Sequence, residues 1–265
     1  MNGTFLLIVY FSNHEPDAIG PVFLRLLGDS KILVVENGSC DGSEELRTRL
    51  LNELSSGKKT PAQIDNLGDP QSMFRGFERE IGKAVYNTGK TIVLEDSPWT
   101  DKEGGRFLAV FVPPRAASLD EALVKLRTAL DEGGSLVRQR DEAYASQLSG
   151  LVKQSSSARI LAMMGSGHER AVSRFLKEKG VAFREVRQPS SMPSTYRSIA
   201  LERAENQDGL SRLDLLRCLA EMVPRRAFIP LGFRGELLMY FWVKDSSEGE
   251  LVEYLSGIYS QRSRV

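Results

Sequence analysis

Short apolar runs along the chain predict the buried strands of an α/β sheet. Continuous runs of this kind are typical of strands in a parallel sheet that helices cover on both faces. The predicted strands cover residues 5–11, 32–36, 91–96, 159–164 and 181–186. A later apolar run that is rich in aromatic residues, 236–243, predicts one more strand near the C-terminus.

Apolar residues at helical spacing occupy most of the chain between these strands. One such segment follows the first strand and another follows the fourth, as the crossover connections of parallel strands require. The remaining predicted helices cover residues 43–55, 71–87, 118–152, 195–204, 211–222 and 247–261. We expect a break in the longest of them at Gly133-Gly134, and a loop over 97–106.

The order of these elements predicts an α/β fold with a mixed, largely parallel sheet flanked by helices. Two units build the sheet, each a strand, a turn that contains histidine, a helix and a second strand. A C-terminal layer of strand and helix follows them. We expect a single α/β domain over residues 1–265, in which 1–115 holds the first histidine unit, 116–189 the second and 190–265 the C-terminal extension.

Composition excludes several classes of protein. The 35 Lys and Arg residues balance 35 Asp and Glu residues, so no net charge favours binding to nucleic acid or to an anionic membrane. The two cysteines, Cys40 and Cys218, are too few for a disulfide framework or a zinc ribbon. The apolar run 5–11 has no Lys or Arg before it and is far too short to span a bilayer. We therefore predict a soluble, cytoplasmic protein whose partners include neither nucleic acid nor membrane.

Both histidines of the chain lie in equivalent turns. His14 and His168 each precede a glutamate, directly after a buried strand and at the start of a helix. Ligands of open α/β sheets bind beyond the carboxyl ends of the strands, where helix N-termini favour negative charge. Histidine transfers protons near neutral pH and, when neutral, binds transition metals. We predict that the two histidines share one acid–base or metal site.

Two strand-end acids join this candidate site. Glu36 ends the run ILVVE and Glu95 ends the run TIVLE, where burial of a carboxylate is costly unless the protein uses it. Glu185 follows a more polar stretch, and we interpret it as a solvated residue. The structural alternative for the His-Glu pairs is that they only form turns and first helical turns, where the helix dipole favours glutamate.

The second histidine unit resembles the TIKI/TraB and erythromycin esterase/ChaN-like superfamily. Members of that superfamily carry a helix with an Arg-Asp pair and then a strand that ends in Gly-x-x-His. Arg140-Asp141 matches the first motif, and Gly165-Ser166-Gly167-His168 matches the second. Short motifs of this kind are only moderately specific.

The first unit is similar to the same superfamily, and the whole resemblance covers residues 5–187 as a pattern. His14 and Glu36 match a strand, a His turn, a helix and a strand that ends in glutamate, and Glu95 matches a further strand-end acid. Phe11 stands where the family has a glycine. The resemblance implies an α/β fold in which both His turns face one cleft. Hydrolysis is the commonest activity in the superfamily, which also includes haem-binding lipoproteins.

From the residues and the resemblance we predict a hydrolase of an ester, lactone or amide bond, acting on a small molecule or a peptide. His14 or His168 activates water, directly or through a divalent metal held by His14, His168 and Glu36. Arg140 stabilises the oxyanion, while Glu36 and Glu95 orient a histidine or complete a metal shell. No cofactor other than a divalent metal is predicted. Whether the chain forms a homo-oligomer is left open.

Two alternatives belong to other functional classes. The first is nucleotide binding at Gly165 and Gly167, with Glu185 on a ribose, although Arg170 stands at the third glycine position of that motif. The second is a binding or interaction module that keeps the fold without the chemistry. The missing first glycine favours this module, and the aromatic run 240–242 (Tyr240, Phe241 and Trp242) offers a partner surface.

Overall fold

The computed structural model describes residues 6–12, 16–36, 44–64, 75–95, 98–155, 157–188, 194–223 and 233–262. Within these ranges five strands form one sheet, and all of their pairings are parallel. The strands are β1 (Leu7–Ser12), β2 (Ile32–Val35), β3 (Thr91–Leu94), β4 (Ile160–Gly165) and β5 (Phe183–Arg187), in the spatial order β3-β2-β4-β1-β5. The prediction of an α/β fold is confirmed.

Helices make up most of the rest of the described chain. They are α1 (Pro21–Asp29), α2 (Glu44–Ser55), α3 (Arg75–Val85), α4 (Asp101–Ala109), α5 (Leu119–Gln154), α6 (Glu169–Glu178), α7 (Tyr196–Glu205), α8 (Arg212–Met222), α9 (Phe233–Asp245) and α10 (Glu248–Arg262). In the described ranges, none of them combines the length and the apolar character that crossing a membrane requires.

Successive side chains of β1 alternate between two hydrophobic cores, one on each face of the sheet. Ile8 and Tyr10 pack with α1, α2 and α3. Leu7, Val9 and Phe11 pack with α6 and with the second half of α5. Because helices cover both faces, the strands are apolar at consecutive positions and appear in the sequence as uninterrupted runs.

The winding of the sheet reverses between β1 and β4, which lie side by side. The chain leaves β1 through α1 and reaches β2 on one side, whereas it leaves β4 through α6 and reaches β5 on the other. Crossovers between parallel strands share one handedness, so α1 and α6 pack on opposite faces. In open α/β folds a reversal of this kind is where ligands bind.

The chain divides into two compact units. Unit 1 contains Met1–Pro98 and Arg140–Ser191, and unit 2 contains Trp99–Gln139 and Met192–Val265. The sheet belongs to unit 1, and the described regular elements of unit 2 are helices around a separate core. The single domain over residues 1–265, with segments that end at 115 and 189, stays a prediction.

The predicted loop over residues 97–106 is wrong, because α4 begins at Asp101. Thr100 and Glu103 form a capping box: the Thr100 hydroxyl accepts from the Glu103 backbone N–H, and the Glu103 carboxylate accepts from the Thr100 backbone N–H. This exchange satisfies two donors that a helix start otherwise leaves open. The Thr-x-x-Glu spacing is visible in the sequence and indicates the start of this helix.

The predicted break at Gly133-Gly134 is also wrong, since α5 runs through both glycines. A Cβ at Gly134 would lie 2.6 Å from the backbone nitrogen of Glu205 and 2.7 Å from the carbonyl carbon of Ala204. The glycines therefore allow α7 to pack against the backbone of α5 inside unit 2. Their role is close packing rather than helix termination.

The predicted C-terminal strand over 236–243 is wrong as well, because these residues lie in α9. Met239 and Val243 are buried four positions apart, while Leu238 and Phe241 are exposed. This is the spacing of one helix face. A short apolar run by itself does not distinguish a strand from a buried helix, and here the helical alternative is the correct one.

Candidate active site

The candidate site lies at the carboxyl edge of the sheet in unit 1, next to the reversal between β1 and β4. Glu36 and Glu95 are the first residues after β2 and β3. Their backbone N–H groups still donate in the pattern of the sheet, to the carbonyls of Met163 and Val35 respectively. Both side chains therefore start from backbone that the sheet holds in place.

The alternation of the strands directs both acids to one face. Val35 and Leu94 belong to the core under α1, α2 and α3. The residue after each of them points to the opposite face, where the second half of α5 packs. Glu36 and Glu95 consequently meet side chains of that helix.

Arg140 of α5 joins the two acids. Its Nε donates to Glu95 Oε1 at 2.7 Å, and its Nη2 donates to Glu95 Oε2 at 2.6 Å and to Glu36 Oε1 at 2.8 Å. The guanidinium plane thus pairs with both oxygens of Glu95, which is the geometry in which arginine binds a carboxylate most strongly. All three side chains are almost completely buried. The predicted roles of Glu36 and Glu95 in orienting a histidine or completing a metal shell stay predictions.

His168 lies on the other side of Glu36. Its Nε2 is 3.4 Å from Glu36 Oε1, and its Nδ1 is 2.7 Å from Asp141 Oδ1. The contact between Nδ1 and Asp141 does not have the geometry of a hydrogen bond. It is therefore an ion pair at short distance. The His168 side chain is 16% exposed, whereas Asp141 is fully buried. His168 is therefore the member of the pair that solvent can reach.

The surrounding charges determine the protonation of these groups. Burial alone lowers the pKa of His168, but the carboxylates of Asp141 and Glu36 outweigh it and hold this pKa well above the ordinary value. Burial raises the pKa of Glu95, although Arg140 opposes the rise. Near neutral pH the imidazole is thus mostly cationic between two carboxylates.

Gly165 and Gly167 have different surroundings. The Gly165 backbone N–H donates to Glu36 Oε2 at 2.6 Å, so it is already bonded to a protein carboxylate. Gly167 is exposed, and a Cβ placed there would meet no atom within 4 Å. Glu185 is partly exposed beside Lys177 and Arg187. The nucleotide prediction at Gly165 and Gly167 stays a prediction, and Gly165 contributes its hydrogen bond to the acid cluster instead.

His14 lies outside the described residues, so the shared site of two histidines stays a prediction. Among the described residues, no group of three or more His, Cys, Asp or Glu side chains is arranged to hold a metal ion. Both oxygens of Glu36 accept from protein donors, one from Arg140 and one from Gly165. As arranged, Glu36 and His168 do not fit a metal ion, and the predicted divalent metal at His14, His168 and Glu36 stays a prediction.

Two residues of α5 belong to the cluster although they were not predicted as site residues. Asp141 contacts His168. Tyr144 is fully buried, and burial together with the charges of Glu95 and Glu36 raises the pKa of its hydroxyl. Both lie within one helical turn of Arg140, at positions i+1 and i+4. The Arg-Asp motif could have identified Asp141. The i+4 spacing could have identified Tyr144, because it brings a residue to the same helix face as Arg140.

Comparisons of the chain with protein-family models, with curated proteins and with solved structures find no match. The chemistry of the cluster is therefore the basis for a functional assignment.

Proposed function

We propose that this protein is a hydrolase of ester, lactone or amide bonds, with the His168 imidazole as the group that activates water. The observation that carries the proposal is the pairing of a partly exposed histidine with the fully buried Asp141 at the carboxyl edge of the sheet. The motifs shared with the erythromycin esterase and TIKI/TraB superfamily favour the same class of reaction.

The geometry of His168 suits a general base. Asp141 lies against Nδ1, so Nε2 is the nitrogen that meets the reacting group, as in the acid–histidine pairs of hydrolases. Glu36 faces Nε2 at 3.4 Å and stabilises the imidazolium while it carries a proton. A buried carboxylate on each side makes this histidine a stronger base than a solvated one.

The proposed reaction has two proton transfers. Nε2 of His168 takes a proton from water as the water oxygen bonds to the carbonyl carbon of the substrate. The bond between that carbon and the leaving oxygen or nitrogen then breaks, and the leaving group takes the proton from Nε2. The products are an acid and an alcohol or amine.

We assign positioning roles to Arg140 and Glu95. Arg140 donates to both acids, so it holds Glu36 in the orientation that faces His168. Glu95 in turn fixes the guanidinium through two hydrogen bonds. In this arrangement the Nε and Nη2 donors of Arg140 are engaged with protein carboxylates, which favours a positioning role over the predicted contact with the oxyanion.

A panel of esters, lactones and amides tests the proposal. We expect wild-type protein to turn over at least one of these classes, and His168→Asn to lower kcat by about 10²–10⁴-fold, the usual contribution of a general base. Asp141→Asn should lower kcat as well, because it removes the charge that lies against Nδ1. Each rate is measured on protein whose thermal unfolding shows that it is folded.

Glu142→Gln is the matched control for Asp141→Asn. Glu142 is the next residue of α5 and is exposed, so its neutralisation should leave turnover unchanged. His14→Asn and a chelator are run in parallel to test the predicted second histidine and the predicted metal. Full activity of a folded His168→Asn variant, or no turnover across the panel, contradicts the proposal.

A further inference from the structure

Two buried polar side chains without hydrogen-bond partners among the described residues, Asp141 and Tyr144, lie three positions apart on α5. Neither carboxylate oxygen of Asp141 accepts a hydrogen bond, and the Tyr144 hydroxyl makes none, as far as the described part of the chain shows. Both side chains are fully buried. A buried hydroxyl without a partner destabilises a protein, and phenylalanine would fill the same space without that cost.

The two groups are chemically complementary. A carboxylate only accepts hydrogen bonds, and a phenol can donate one. Asp141 and Tyr144 are three positions apart, which brings their side chains to neighbouring places on the helix surface. Helical side chains also lean towards the N-terminus, so the Tyr144 ring extends back over the turn that holds Asp141.

We propose that Tyr144 is a further positioning residue of the site, a reserve donor whose hydroxyl bonds to Asp141 whenever His168 moves away from that carboxylate. Its role in turnover rests on the proposed function, because His168 must adjust as it exchanges protons with water and substrate. The hydroxyl is suited to this role since burial, together with Glu95 and Glu36, raises the pKa of Tyr144 well above its ordinary value. It therefore stays a neutral donor among the charges of Glu36, Glu95, Arg140 and Asp141.

A double-mutant cycle on thermal stability tests this inference without any substrate. In the wild-type background, Tyr144→Phe should leave Tm unchanged or raise it, because the lost hydroxyl has no partner there. In a His168→Ala background the hydroxyl becomes the donor to Asp141, and Tyr144→Phe should then lower Tm by roughly 5 °C. The difference between the two backgrounds is the coupling that the inference predicts.

Two controls make the cycle specific. Tyr10 is also buried, but its hydroxyl donates to the Ala18 carbonyl at 3.0 Å, so Tyr10→Phe should lower Tm by about 2–4 °C in the wild-type background. His168→Asn keeps a polar side chain against Asp141 at the position of Nδ1, and in that background Tyr144→Phe should again have no effect. If His168→Ala does not fold, His168→Gln replaces it, because its amide reaches the Nε2 position rather than the Nδ1 position.

Additive effects of Tyr144→Phe and His168→Ala overturn the inference, and so does a fall in Tm for Tyr144→Phe alone that equals the fall for Tyr10→Phe. Coupling without any hydrolase activity leaves the reserve donor standing and removes the proposed function. Activity that depends on His168, together with additive effects of the two substitutions on Tm, supports the proposed function and overturns the reserve donor. Where turnover is measurable, Tyr144→Phe should lower kcat with little change in KM.

Discussion

At the scale of single residues, the site is a chain of charges in which each group holds the next. Glu95 fixes Arg140, Arg140 fixes Glu36, and Glu36 and Asp141 hold His168 between them. Glu36 is the link to the sheet as well, because its second oxygen accepts the Gly165 N–H. Buried charges of this kind are stable only as a paired set.

Loss of one partner in the set should therefore be costly. Glu95→Gln leaves the buried Arg140 with a single carboxylate, and we expect the free energy of unfolding to fall by about 3–5 kcal/mol. Chemical denaturation of the variant and of wild type measures this difference. Glu142→Gln removes an exposed charge from the same helix and should change the free energy by no more than about 0.5 kcal/mol. Equal effects of the two substitutions would show that the Glu95–Arg140 pair contributes no special stability.

At the scale of elements, the parallel strands could be predicted from the sequence, and several helices could not. Runs such as LIVYF and ILVV are apolar at every position because both faces of the sheet are covered, and buried parallel strands are the usual source of that pattern. The run 236–243 has similar composition but lies in a helix, since its burial depends on packing partners far away in the chain. The glycines of α5 were misinterpreted for the same reason: their role depends on where α7 packs.

Alanine substitutions distinguish a glycine of α5 that is needed for close packing from one that is not. Gly134→Ala introduces a Cβ against the backbone of Ala204 and Glu205, and we expect it to destabilise the protein by about 1–3 kcal/mol. Gly150 lies in the same helix, where a Cβ would meet nothing within 4 Å. Gly150→Ala should stabilise the protein by up to about 1 kcal/mol, because alanine favours a helix interior. Thermal unfolding compares the two, and a stable Gly134→Ala variant would contradict the close packing of α7 on α5.

At the scale of the whole molecule, the described members of the cluster belong to unit 1, although they come from four distant parts of the chain. The sequence predicted Glu36, Glu95, Arg140 and His168 because they sit at strand ends or in a family motif. Asp141 belongs to the same Arg-Asp motif as Arg140 but was not chosen as a site residue, and Tyr144 lies in no motif. Only the packing of α5 on the sheet brings Tyr144 to the other charges. Unit 2 has its own helical core, and no described member of the proposed site comes from it.

The most direct test of the central claim is the fate of the oxygen of water during turnover. Reaction in water enriched in the heavy oxygen isotope, followed by mass spectrometry of the released acid, shows whether water attacks the carbonyl carbon. We predict that wild-type protein incorporates one heavy oxygen into the acid, and that the rate rises as the pH is raised above neutral, because more of the His168 imidazole is then neutral. Folded His168→Asn protein should incorporate the label more slowly, by a factor of about 10² or more. An acid without the label, or equal rates for the two proteins, would contradict the account.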